Sequence, residues 1–133
     1  MLRWLHWEHA ALVEEFATTS LHEIDYVHEA VNVERFAAIF ADDARVGTPV
    51  VAWERSARRV LTLSDVTAIK ITDVSALQAA GIDPNAVAAE LARATFEQIF
   101  VAGFFHADPH PGNIFVTPDA EHGFTLTYID FGM

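Results

Sequence analysis

Eight residues, His106-Ala107-Asp108-Pro109-His110-Pro111-Gly112-Asn113, constrain this chain more than any other stretch. Proline fixes φ and removes an amide donor, so two prolines and a glycine in one short run exclude both a helix interior and a paired strand. The run must be a loop. It carries two histidines, an aspartate and an asparagine amide, the residue types that do chemistry at loops. Ile114-Phe115-Val116 and Phe124 to Ile129 then read as a hairpin around the turn Pro118 to Gly123. The hairpin ends in Asp130-Phe131-Gly132, seventeen residues beyond Asn113.

Upstream, no proline or glycine occurs from about Glu8 to Phe40. Leu12, Phe16, Ile24, Val27, Val31 and Phe36 recur at three-to-four spacing, which predicts one long helix or two abutting ones, with a break near Thr18 to Ser20. Val50 to Trp53 and Arg59 to Leu63 read as two short strands of a second hairpin. Asp73 can cap a short helix that reaches about Ala80 and stops at Gly81. Asp83-Pro84 opens the next, from about Asn85 to Ala102, because proline is tolerated at the first helical position. Trp4, Trp7, Trp53 and the series Phe96, Phe100, Phe104 and Phe105 are expected in the core or at contacts between lobes.

Composition narrows the function. With 133 residues, one domain is the expectation. Nineteen acids against eight bases give a formal charge of -11, which argues against a nucleic-acid partner, since phosphate neutralisation needs clustered Lys and Arg. An anionic ligand would have to be held by metal ions or backbone dipoles. The absence of cysteine excludes disulfides and thiolate metal sites. No apolar run approaches the roughly 18 residues of a membrane span, and the chain reads as soluble.

The loop and hairpin together resemble a kinase catalytic segment. Such loops run His-Arg-Asp, place an Asn five residues after the Asp, and lead through a hairpin to Asp-Phe-Gly. Asp108 and Asn113 have that spacing. Ala107 in place of the usual arginine, and the Pro-His-Pro-Gly run, make the segment similar to the UbiB-like atypical kinases associated with coenzyme Q. Glu23-Ile24-Asp25-Tyr26 followed by Glu29-Ala30 and Asn32 resembles that family's Glu-x-Asp helix signature, and Val60 to Leu63 with Ile69 to Asp73 resembles its hinge strand. The resemblance covers roughly residues 12 to 133.

The resemblance implies an α+β, kinase-like fold present only in part: a remnant of the amino-terminal lobe over about 1–63, a hinge over about 64–72, and the carboxy-terminal lobe over about 73–133. It implies Mg-ATP as cofactor, with Asp108 as the catalytic-loop carboxylate and Asn113 and Asp130 as magnesium ligands. Glu29 would pair with a strand lysine that this chain lacks. Glu23, Asp25, His106 and His110 would belong to the family signature. Phosphoryl transfer depends on positioning and charge stabilisation, which is why hard oxygen ligands and one well-placed carboxylate suffice. The glycine after Asp130-Phe131 is expected to make the sharp turn that aims the aspartate.

The implied activity is that of an ATPase or a small-molecule or lipid kinase supporting isoprenoid-quinone metabolism. Partners would be a nucleotide and possible isoprenoid lipids or quinone-biosynthesis proteins, in a family often membrane-associated in bacteria, mitochondria or plastids. The chain has no phosphate-binding loop, no Lys-x-Gly-Gln motif, and Ser64 and Ala68 where the family usually has Glu and Gly, so the isolated chain is expected to be inactive. Two alternatives stand beside this one. A remnant could keep the fold as a regulatory binding module, or His106, Asp108 and His110 could converge on a metal as a two-histidine, one-carboxylate site.

Overall fold

The structure is a computed structural model that describes residues 26–66 and 68–132. Glu23, Asp25, Trp4, Trp7 and the expected helix break near Thr18 to Ser20 lie outside the described residues.

The first described element, α1 (Tyr26–Ile39), buries Ala30, Val33 and Phe36 along one face, and Phe40 just beyond its end continues that face. Val31, expected on the same stripe, is 50% exposed. The small Ala30 occupies the buried position instead, and its size hides it from a count of large apolar residues. After a turn held by the Asp43 amide on the Phe40 carbonyl (2.9 Å), the chain enters β1 (Val46–Gly47).

Val50 to Leu63 doubles back without forming a ladder, with single antiparallel bridges at Val51 to Leu63 and Ala57 to Val60. The cause is Ser56, whose hydroxyl donates to the Ala52 carbonyl (2.9 Å) and accepts from the Thr62 amide (3.0 Å). A side chain has taken the place of ladder bonds around the Trp53–Arg55 turn. The hairpin expected here is therefore present as a reversal but not as two strands.

β2 (Ile69–Lys70) leads to α2 (Val74–Ala79), capped by Asp73, which accepts from the Ala76 amide at 3.0 Å. Asp83 caps α3 (Pro84–Glu97) through the Asn85 amide at 2.9 Å. The α-helix stops earlier than the periodicity predicts, because Gln98–Ala102 winds as a π turn before Gly103 reverses the chain at φ +62°. β3 (Ile114–Asp119) and β4 (Gly123–Tyr128) form the expected hairpin, longer than read from sequence because Pro118 and Asp119 join it. Pro118 fits because β2 pairs only with Phe115 and Val116, leaving β3 an edge farther on.

The sheet order is β1-β4-β3-β2, with β1 parallel to β4 and the other pairs antiparallel. Ile114 and Val116 on β3 and Phe124, Leu126 and Tyr128 on β4 point to one face and are buried, as a period of two requires. Against that face pack Val33 and Phe36 from α1, Phe40 just after it, Leu77 from α2, and Val87 and Ala94 from α3. Arg93 ties α3 to the turn after α1, bonding Glu90, Glu97 and Asp43 at once.

Trp53 and the aromatic residues at the end of α3 and just after it do not enter this core. Phe96, Phe100 and Phe105 are exposed, Phe96 stacked on Phe100 at 5.7 Å, and Trp53 is 41% exposed with its indole N–H on Glu34. Phe104 is half-buried beneath the Arg35 guanidinium, 4.1 Å from the ring centroid. They lie off the face that meets the sheet, so a reading as core holds for none of them except in part for Phe104.

Candidate functional site

The loop after Gly103 is anchored at both ends. The His106 amide donates to the buried Gln98 side chain at 3.0 Å. Its ring is 3% exposed and packs 4.8 Å from Phe131, and Nε2 donates to the Ile129 carbonyl at 3.0 Å. His106 therefore ties the start of the loop to the end of the hairpin. At the other end, the His110 Nδ1 accepts from the Gly112 amide at 3.0 Å and closes the Pro111–Asn113 turn. A Cβ on Gly112 would sit 3.0 Å from that nitrogen, so glycine is the residue that fits. Asp108 stands exposed on the loop between these anchors.

Asn113 closes the loop onto the hairpin. Its amide donates to the His110 carbonyl (2.8 Å) and its carbonyl accepts from Ile129 (2.9 Å). Its side chain then lies beside Asp130, with Nδ2 3.4 Å from Oδ2.

The sharp turn falls on Asp130 at φ +63°, not on Gly132. Aspartate tolerates this left-handed region better than most residues, yet a non-glycine residue there still costs about 1–3 kcal/mol. The expectation that the glycine makes the turn is thus corrected. At Gly132 a Cβ would meet Asp130 Oδ1 at 3.5 Å and Glu29 Oε2 at 3.8 Å, ordinary contacts that would fill the space between the two carboxylates.

Those two distances also place Glu29, on the first turn of α1, next to Asp130 across the whole described sequence. Burial pushes the Glu29 carboxyl above its usual range, the Asp130 carboxylate adds to the shift, and a hydrogen bond from the Phe131 amide opposes it. One turn later, Asn32 Nδ2 donates to the Phe131 carbonyl at 3.1 Å. Phe131 is fully buried, 5.1 Å from Phe36 and 4.8 Å from His106.

The structure thus gathers Glu29, Asn113 and Asp130, with Asp108 on the same loop and His106 and His110 turned to structural bonds. No group of three or more His, Asp or Glu able to hold a metal ion occurs among the described residues. That removes the reading of His106, Asp108 and His110 as a metal triad, since His106 is buried and committed to Ile129. Sequence reasoning named Asn32 only as part of the helix signature, with no role of its own, and missed Gln98. For Asn32 the signal was its place three residues after Glu29, on the same helical face.

The chain matches the ABC1 atypical kinase-like domain over residues 3–133. It is 42% identical over 122 residues to the Arabidopsis thaliana protein ACTIVITY OF BC1 COMPLEX KINASE 7, chloroplastic, an alignment covering 92% of this chain and 17% of that one. To the Synechocystis protein slr1919 it is 43% identical over 122 residues, covering 92% of this chain and 21% of the relative. The chain therefore spans about a fifth of the length of these relatives. Among solved structures, that of Rv3197 with erythromycin from Mycobacterium tuberculosis superposes with a TM-score of 0.70 at 27% identity, over 91% of this chain and 29% of that one. A catalytic-type loop, an aspartate-turned hairpin and an acid-bearing helix packed as one unit have the fold and sequence likeness of one group of proteins, and this chain belongs to the ABC1 atypical kinase-like family.

Proposed function

We propose that the chain is the cation-binding part of an atypical kinase that uses Mg-ATP, as an ATPase or a small-molecule or lipid kinase in isoprenoid-quinone metabolism. The observation that carries the reading is the side-by-side placement of Asn113 and Asp130, 3.4 Å apart, on a loop and a hairpin end joined by the Ile129 amide on the Asn113 carbonyl. The donor set suits magnesium: carboxylate and amide oxygens are the hard ligands this ion takes, and it keeps waters and phosphate oxygens for its remaining positions. Gly132 leaves open the space that a Cβ would take between the Asp130 and Glu29 carboxylates.

Asn113 and Asp130 would hold the ion, which when bound neutralises phosphate charge. Asp108, exposed and two residues from the buried His106, would be the carboxylate that accepts a proton from a hydroxyl nucleophile. Glu29 would pair with the strand lysine that the family supplies, which would also relieve its repulsion by Asp130. The domain division into a lobe remnant over about 1–63, a hinge over about 64–72 and a second lobe over about 73–133 belongs to the same proposal. Among the described residues no helix is long and apolar enough to cross a membrane.

The test is thermal shift with millimolar Mg-ATP. The chain alone should show no clear shift, because the phosphates need a loop and a lysine as well as the metal. Joined to the phosphate-loop and lysine-bearing strands of a family member, it should be stabilised by about 2.7 kcal/mol at a hundredfold excess over Kd, and Asp130→Asn should abolish the effect. A shift of equal size in Asp130→Asn would place the nucleotide elsewhere.

A further inference from the structure

We propose that Asn32 is a positioning residue that, with Glu29, clamps the Phe131 peptide units from α1 and so holds the Asp130 carboxylate beside Asn113. The proposal rests on the cation-binding reading above and extends it to a residue that touches neither the ion nor a substrate.

The geometry has two halves that meet at Asp130. Before it, Ile129 is pinned from the loop side: its carbonyl accepts from His106 Nε2 at 3.0 Å and its amide donates to the Asn113 carbonyl at 2.9 Å. After it, Phe131 is pinned from α1: its carbonyl accepts from Asn32 Nδ2 at 3.1 Å, and the Glu29 carboxylate stands near its amide. The neighbours of Asp130 are thus tied to different elements, Ile129 to the loop and Phe131 to α1, and Asp130 is the non-glycine residue with positive φ among the described residues. A strained conformation persists only where its surroundings over-determine it.

Remove the Asn32 donor and the Phe131 carbonyl loses its partner in a half-buried place. The Phe131 main chain then loses its tie to α1 and can shift, which lets Asp130 relax to negative φ and its carboxylate swing from Asn113. Asn32 and Glu29 are three residues apart, so both side chains reach Phe131 from one face of α1 and a small shift of that helix moves them together. The side-chain packing does not supply this restraint. Phe131 is held in the core by Phe36 and His106, contacts that fix its ring but leave its carbonyl direction open.

The experiment uses the full 133-residue chain, labelled for NMR, with Mn²⁺ as the probe. Asn32→Leu keeps the size and removes the donor. The expected result is amide exchange at Phe131 at least roughly tenfold faster, Asp130 carbon shifts leaving their left-handed values, and Val116 and Leu126 exchange unchanged. Mn²⁺ broadening at Asn113 and Gly132 should then need roughly tenfold more metal, the scale set by one lost hydrogen bond in a half-buried site. Asn32→Asp, with an oxygen facing the carbonyl, should give a larger loss and serves if the leucine variant does not fold. Phe131 exchange and Asp130 shifts that match the wild type in both variants overturn the proposal. Should the wild type show no Mn²⁺ broadening at these residues, the cation reading fails, while Phe131 exchange still decides whether Asn32 sets the Asp130 conformation.

Discussion

Phe36→Ala should be among the most damaging single changes in the described part of the chain. Phe36 is 0% exposed and meets Phe40 at 5.0 Å, Tyr128 at 5.0 Å and Phe131 at 5.1 Å between ring centroids. Its ring therefore joins α1 to the end of β4 and to the turn that carries Asp130. Phenylalanine truncated in a core costs about 3–5 kcal/mol, more where the site cannot collapse. Here three rings, each 3% exposed or less, surround the gap, and each ring pair adds about 0.5–1.5 kcal/mol beyond area. We expect about 4 kcal/mol by urea unfolding followed by circular dichroism, with Tm lower by roughly 12–20 °C. Phe36→Leu fills most of the space and should cost about 1.5 kcal/mol. A double-mutant cycle with Phe131→Ala should return a coupling above about 0.5 kcal/mol. A loss below about 1.5 kcal/mol for Phe36→Ala, or no coupling to Phe131, would refute the seam as the joint between helix and site.

Glu29→Gln tests the paired carboxylates by pH. The folded Glu29 pKa lies above its ordinary 4.5, so the native chain binds more protons than the unfolded one and stability falls as pH rises through the folded value. Glutamine stays neutral, so the variant should match the wild type near pH 4 and exceed it at pH 7 in Tm; parallel profiles would sink the assignment. Gly132→Ala should leave stability within about 0.5 kcal/mol, since φ is ordinary there and the new methyl meets only normal contacts. The methyl would nevertheless stand between Asp130 and Glu29, so Mn²⁺ affinity measured by relaxation should drop, and an unchanged affinity would show that the ion does not use that space.

What the sequence makes legible is what local chemistry decides. Asp73 and Asp83 cap helices because a carboxylate that accepts an amide two or three residues on needs no distant partner, and Gly81 and Gly103 end helical segments at positive φ for the same local reason. The β3 and β4 hairpin is legible because its alternation and turn lie within one short stretch. β1 and β2 are two residues each, and their pairing depends on partners far away, so neither has a pattern of its own. The Ser56 hydroxyl that breaks the expected hairpin is equally silent. At the site, the loop and its spacing could be read directly. The placement of strain on Asp130 instead of Gly132 could not, because it follows from bonds that His106, Asn113, Glu29 and Asn32 make from three separate elements.

The parallel pairing of β1 with β4 sets an order of assembly. The hairpin needs only a short loop closed, whereas the Thr125 hydroxyl reaches the Ala44 carbonyl across 81 residues and Val46 sits opposite Leu126. Closing so long a loop costs entropy that the two residue pairs of β1 recover only after the hairpin exists to receive them. Helix α1 and the strand it feeds are therefore expected to dock after the hairpin has formed. Substitutions in this docking layer should chiefly raise the unfolding rate, so the lifetime of the assembled site is governed at the seam between the first described helix and the last strand.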